Sequence, residues 1–156
     1  MTYGLVPVGG KGLRLSLPFS KEMLPQKNYD YYNPLINHVV EKMLLAGVEI
    51  VYFIHGEEFK KDLKDFYKEN KFVHVLQKSV GFANVVEDFY KVAMPEDRDK
   101  ILFGLPDSIF NKNPFVELKG DWLFYWNKWP SPESIKKDSL PKQTTPIKIP
   151  SPWISV

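Results

Sequence analysis

Leu5-Val6-Pro7-Val8-Gly9-Gly10-Lys11-Gly12-Leu13-Arg14-Leu15-Ser16-Leu17-Pro18-Phe19-Ser20-Lys21-Glu22 decides how this chain is read. It opens as a short apolar run, the signature of a buried strand, and breaks into a glycine-rich loop. Glycine lets backbone N–H groups turn toward a ligand and lets the ligand come close, because no Cβ intervenes. A nest of such N–H groups after a strand binds anions. Arg14 adds a planar fork suited to phosphate oxygens and Lys21 a mobile point charge. The stretch reads as a cradle for a triphosphate or pyrophosphate. Its glycines alone are ambiguous, since a tight strand-to-loop turn needs them equally. The dinucleotide pattern G-x-G-x-x-G fails because Leu15 stands where the third glycine belongs. The pattern G-x-x-x-x-G-K-[ST] fails because glycine follows Lys11.

Outward from this loop the chain alternates. Residues 3–8 form the first predicted strand. Residues 26–33 are polar and aromatic and read as loop. Pro34 suits a first helical turn. Leu35, Ile36, Val39, Val40, Met43 and Leu44 recur at helical spacing, and Gly47 stops them. Residues 48–55 read as a second buried strand. Residues 57–70, with Phe59, Leu63, Phe66 and Tyr67 on one face, read as an amphipathic helix. A third strand is predicted over 72–76, a helix over 83–94 with Val86, Phe89, Tyr90 and Ala93 inward, and a fourth strand over 100–105. Residues 121–126 are a candidate fifth strand. Strands alternating with helices predict an α/β fold with a Rossmann-like, mostly parallel sheet flanked by helices. A strand order of 3-2-1-4 would set the loop after strand one beside the loop after strand four, where such sheets bind ligands.

Composition narrows the function classes. The chain has 156 residues, 44% of them apolar, enough for one domain with a real core. A net charge of +2 does not suggest a nucleic-acid binder. The absence of cysteine excludes disulfides and thiolate metal sites. No apolar run approaches the roughly 18 residues of a membrane span. Met1-Thr2-Tyr3-Gly4 lacks the basic segment and apolar core of a signal peptide, so the expected location is cytoplasmic.

Asp107, in Gly104-Leu105-Pro106-Asp107-Ser108-Ile109-Phe110, is a second anchor. Phosphoryl chemistry generally uses Mg²⁺ held by one or two carboxylates and by substrate phosphates. Asp107 is the carboxylate this topology would set opposite the cradle, although a turn or helix cap would use an aspartate there too. His38, His55 and His74 lack metal-ligand spacing and read as structural. Glu87 and Asp88 read as a solvated helix face, and Lys60, Lys61, Lys64 and Lys68, interleaved with acids, read the same way.

The chain resembles the nucleotidyltransferases that join a nucleoside triphosphate to a sugar 1-phosphate, such as glucose-1-phosphate thymidylyltransferases and uridylyltransferases. Gly9, Gly10, Gly12, Arg14 and Leu15 fit their opening pattern G-G-x-G-x-R-L, and Lys21, Leu24 and Pro25 fit the later P-K-x-L-L-P. Leu13 stands in place of the usual Thr or Ser, and Ser20 in place of the proline before the lysine. The strand ending at Leu105-Pro106-Asp107 is similar to the family's G-D or P-D strand end, which implies that Asp107 is a metal ligand. Gln77 and Gly81-Phe82-Ala83 resemble the family's base-contacting segment. A glutamine amide both donates and accepts, as a pyrimidine edge requires; a solvent-facing strand end is the alternative for Gln77.

The resemblance implies transfer of a nucleoside monophosphate from dTTP or UTP to a sugar 1-phosphate with release of pyrophosphate. Arg14 and Lys21 would be catalytic. Gly9, Gly10, Lys11, Gly12, Gln77 and Gly81 would bind nucleotide, and Asp107 would hold Mg²⁺. It covers about residues 3–126, the nucleotide-binding half. From Trp129 onward prolines crowd into a segment without period, so residues 127–156 are expected to form an irregular tail. The sugar-binding half has no counterpart, which reads as truncation. Core surface exposed by truncation would favour a homo-oligomer. Two further readings stay open: a catalytically inactive nucleotide-binding module, marked by binding without turnover, and an α/β interaction domain that binds no nucleotide.

Overall fold

The computed structural model describes residues 1–27, 29–78 and 81–116, together with the backbone of residues 124–126 and 145–147. β1 (Thr2–Pro7), β2 (Ile50–His55), β3 (Phe72–Leu76) and β4 (Lys100–Phe103) form one sheet in the order β3-β2-β1-β4, every pair parallel. This is the 3-2-1-4 order under which the loops after β1 and β4 adjoin. Crossovers between parallel strands are right-handed. α1 (Asn37–Leu45) and α2 (Lys61–Phe66) carry the chain from β1 through β2 to β3, always in one direction. α3 (Phe82–Ala93) carries it back across to β4. Reversing direction at constant hand puts α3 on the opposite face.

The strand side chains sort accordingly, with period two. Val6, Val51, Phe53 and Leu102 pack with Val39, Val40 and Met43 of α1 and Leu63 of α2. Tyr3, Leu5, Tyr52, Ile54, Val75 and Ile101 pack with Val85 and Phe89 of α3. On that second face Tyr3, Tyr52 and Phe89 meet edge to face, with centroids 5.1–5.9 Å apart, the geometry the ring quadrupole favours.

Three elements differ from their sequence readings. Pro34 forms an isolated antiparallel bridge with Pro25, and its carbonyl accepts the Asn37 N–H, so a turn precedes α1. α2 is much shorter than residues 57–70. His55 Nδ1 accepts the backbone N–H of Lys60 at 3.1 Å and holds that residue extended, at ψ 105°. The helix can begin only after it. Asp88, read as solvated, is buried, and its carboxylate accepts the Lys78 N–H at 2.9 Å. The loop after β3 needs that acceptor, and a charge pattern along one helix cannot show it. The expected fifth strand is present as β5 (Phe124–Trp126), which pairs antiparallel with β6 (Thr145–Ile147). No strand is expected in the proline-rich tail; in a two-stranded ladder both strands are edges, which tolerate Pro146. The rest of residues 121–123 and 127–156 lies outside the described residues.

Gly104 sets how closely the loop after β4 approaches α1. A Cβ there would stand 2.6 Å from Val39 Cγ1 and 2.7 Å from Met43 Cε. Met43 can swing aside, but Val39 is β-branched and held to one rotamer in a helix. Gly104→Ala is therefore expected to destabilise the fold by about 1–3 kcal/mol through overpacking. It should lower the urea midpoint at unchanged slope. A change under about 0.5 kcal/mol would refute the close seating of α1.

Candidate functional site

The glycine-rich loop leaves β1 at the carboxyl edge of the sheet and turns at once. Gly9 lies against Gly56, the first residue after β2: a Cβ on Gly56 would fall 2.9 Å from the Gly9 carbonyl oxygen. Two chain ends pass so closely only because neither carries a side chain. Gly12, at φ 61°, begins a 3-10 turn over Leu13–Leu15, with Arg14 exposed at its centre. Among the described residues Gly10, Lys11 and Gly12 donate no backbone hydrogen bond, and Arg14 has no ion pair or hydrogen bond. Lys21, in a second 3-10 turn, lies along this loop. Its Cε and Nζ would be 3.5 and 3.7 Å from a Cβ on Gly10. Three free donors, the turn that carries Arg14 and the Lys21 side chain thus lie together beyond the carboxyl edge of the sheet.

Asp107 comes to the same place from the other side of the switch point. Its Oδ2 is 3.4 Å from Lys21 Nζ, and its side chain is 53% exposed. The pair is long and open to water, so a ligand could displace it at small cost. The loop carrying Asp107 is tied down on both sides. The Gly104 N–H donates to the Leu5 carbonyl at 3.0 Å. His38 Nε2 accepts the Phe110 N–H at 2.9 Å, with the two rings stacked 6.2 Å apart. Asn113 Nδ2 donates to the Lys42 carbonyl at 2.8 Å. His38 is structural, as read, and what it positions is the Asp107 loop.

Gln77 follows β3, its N–H bonded to the His55 carbonyl at 3.0 Å. Its Nε2 donates to the Gly81 carbonyl at 2.6 Å, and its Oε1 faces Gly9, 3.7 Å from where a Cβ would be. Gln77 and Gly81 therefore adjoin each other and the glycine-rich loop. Lys11 lines the rim of both neighbouring cavities, its Nζ paired at the surface with Glu57 at 2.9 Å. A cavity of about 580 Å³ opens beside the loop between Lys21 and Lys60, and one of about 330 Å³ between Gly9, Gly56 and Phe59.

Sequence reading missed Gly56, Glu22 and Lys60. Lys60 is no part of a solvated face: its side chain is 16% exposed, and its Nζ bonds Glu22 Oε2 at 2.8 Å and the Gly10 carbonyl at 2.7 Å. The glycine directly after His55 was a signal for Gly56. Nothing in a lysine-rich helix pattern separates Lys60 from Lys61.

Beneath the loop His55 and His74 form a relay whose protons can be assigned from their partners. His55 Nδ1 accepts from Lys60 N–H, so His55 Nε2 carries the proton and donates to His74 Nδ1 at 2.8 Å. His74 Nε2 in turn donates to the Tyr67 carbonyl at 3.0 Å. Both rings are neutral, and each uses both nitrogens. Burial, the neighbouring His74 and Lys60 push the His55 pKa down to about 3. Burial lowers that of His74 as well.

No protein-family model matches the chain, and no curated protein matches it. Solved structures do. A Bacillus anthracis protein assigned as a glucose-1-phosphate thymidylyltransferase, in complex with a sucrose, aligns with a TM-score of 0.61 and 25% identity over 75% of this chain and 49% of that one. A UDP-glucose pyrophosphorylase from Acinetobacter baumannii aligns with a TM-score of 0.51 and 18% identity over 74% of this chain and 49% of that one, a likeness of fold. The chain spans about half the length of these structures.

The relay makes the site acid-sensitive. Between its ordinary pKa of 6.5 and about 3, His55 binds a proton in the unfolded chain and not in the folded one. Stability therefore falls as pH drops through that window. Denaturant unfolding at steps from pH 7 to 5.5, above the range where most carboxylates protonate, should show the decline. His55→Leu should flatten it. An equal slope in that variant would rule out the assignment.

Proposed function

We propose that this chain is the nucleotide-binding part of a sugar-1-phosphate nucleotidyltransferase, starting from its structural likeness to glucose-1-phosphate thymidylyltransferase and UDP-glucose pyrophosphorylase. The observation that carries the reading is the meeting, at the sheet's switch point, of three unpartnered loop amides with Lys21 and Asp107, 3.4 Å apart. Loop amides, cations and one carboxylate facing each other match the charge distribution of a metal-bound triphosphate.

In this reading a sugar 1-phosphate oxygen attacks the α-phosphorus of dTTP or UTP. The bond to the β-phosphate oxygen breaks, and pyrophosphate leaves. No protein nucleophile is required; rate comes from alignment and charge neutralisation. Gly9, Gly10 and Gly12 hold the phosphates with backbone N–H groups, with Lys11 at the rim. Arg14, free of protein partners, grips the departing pyrophosphate. Lys21 neutralises charge near the α-phosphate. Gln77 reads the base edge beside Gly81.

The donor set fits Mg²⁺ only with a substrate's help. Among the described residues no group of three His, Cys, Asp or Glu side chains gathers to hold a metal. Asp107 alone would hold the ion, with phosphate oxygens and water as its other ligands. The ion would supply charge neutralisation on the phosphates. Because the chain spans about half of its structural neighbours, binding without turnover would mark the inactive nucleotide-binding module.

The test is isothermal titration of the purified chain with dTTP, UTP, CTP and ATP, each with Mg²⁺. Selective binding of dTTP or UTP is expected, weakened about tenfold or more by Arg14→Ala, as loss of a charge-assisted phosphate contact requires. In Asp107→Asn the benefit of adding Mg²⁺ should disappear. A folded chain that binds none of the four would sink the proposal.

A further inference from the structure

Three glycines within four residues make the loop an anion site and also make it unreliable, because a peptide flanked by glycine can flip. A flipped Gly10–Lys11 unit would aim a carbonyl oxygen where the site needs an N–H. Something must hold that peptide plane.

Lys60 is placed to do so. Its Nζ donates to the Gly10 carbonyl at 2.7 Å and to Glu22 Oε2 at 2.8 Å. Both ends of the residue are fixed, since its own N–H is bonded to His55 Nδ1 at 3.1 Å. A trans peptide carries its C=O and N–H on opposite sides. Fixing the Gly10 carbonyl on Lys60 therefore fixes the Lys11 N–H pointing away from Lys60, and among the described residues that N–H has no acceptor. Glu22 supports this arrangement at a cost to the fold. Its side chain is 1% exposed, and its Oε1 is buried without a hydrogen-bond partner. A half-satisfied buried carboxylate destabilises, so a purely structural ion pair is a poor account of it.

We infer that Lys60, anchored by Glu22, is the positioning residue that locks the Gly10–Lys11 peptide in its anion-binding orientation. The inference deepens the nucleotide-binding reading and rests on it for the identity of the anion.

The experiment compares the wild-type chain, Lys60→Met, Lys60→Arg and the double variant Lys60→Met/Glu22→Gln, which removes the stranded carboxylate in case Lys60→Met does not fold. Inorganic tripolyphosphate is the probe, read by titration calorimetry. Backbone ¹⁵N order parameters at Lys11 and Gly12 are measured in the free protein, with melting temperature as the control on global folding. Losing the charge-assisted hydrogen bond to the Gly10 carbonyl should drop these order parameters from the rigid range of about 0.85 to below about 0.6 in the folded double variant and weaken tripolyphosphate binding roughly tenfold or more. Lys60→Arg, which can still reach both oxygens, should recover most of each. Wild-type order parameters and wild-type affinity in a folded double variant would overturn the inference. If the wild-type chain itself binds no tripolyphosphate, the nucleotide reading fails, while the order-parameter comparison still decides whether Lys60 locks the loop.

Discussion

The hand of the crossover connections governs this molecule. Right-handed connections place α1 and α2 on one face of the sheet because both run the same way. The connection to β4 must run back, so α3 covers the other face. The gap between β1 and β4 that results is where two loops leave the sheet side by side with no helix between them. Lys21 and Asp107 meet there, 86 residues apart in sequence. The candidate groups lie at or beside the carboxyl ends of the four strands, and the amino ends carry structural contacts such as the Met1 ammonium on Asp99 at 2.7 Å.

Loops at such an edge have no hydrogen-bond ladder of their own, and this chain orders them with buried and half-buried polar side chains. His38 holds the loop after β4 through the Phe110 N–H. Asp88 holds the loop after β3 through the Lys78 N–H. Asp62 takes both the N–H and the hydroxyl of Ser20, at 2.8 and 2.6 Å, and so ties the segment before Lys21 to α2. Burial disfavours the Asp62 charge, but the Ser20 and Leu63 donors outweigh it and hold its carboxyl below the usual range. His55 and His74 brace the start of α2 against the end of β3. For Phe110, Lys78, Ser20 and Lys60 the acceptor stands on a packed element and the amide on the loop. The site's geometry is thereby carried back into the core.

The same division explains what could be read in advance. Strand positions and the glycine-rich loop were legible because hydrophobic period and local glycine content act over a few residues. The candidate residues Gly9, Gly10, Gly12, Lys21, Gln77, Gly81 and Asp107 were legible as types at strand ends, and the fold does gather them. The short α2 was not legible, because its start is set by a histidine side chain capturing a backbone amide. Asp88 and Lys60 were misread because both sit in charge-rich segments, where sequence alone cannot separate a buried charge from a solvated one.

By itself the sequence determined the α/β class, the order in which strands and helices follow, and a loop able to present amides to an anion. These depend on properties of neighbouring residues: side-chain period, φ freedom and charge type. Only the tertiary structure decided which charges face each other, that Gly9 needs Gly56 behind it, and that one lysine among several is drawn inward onto Glu22 and the Gly10 carbonyl. Those outcomes depend on distances between residues from 38 to 86 positions apart in sequence. Burial raises the cost of an unpaired charge far above its surface value, so the packed chain, and not the local pattern, selects the partner.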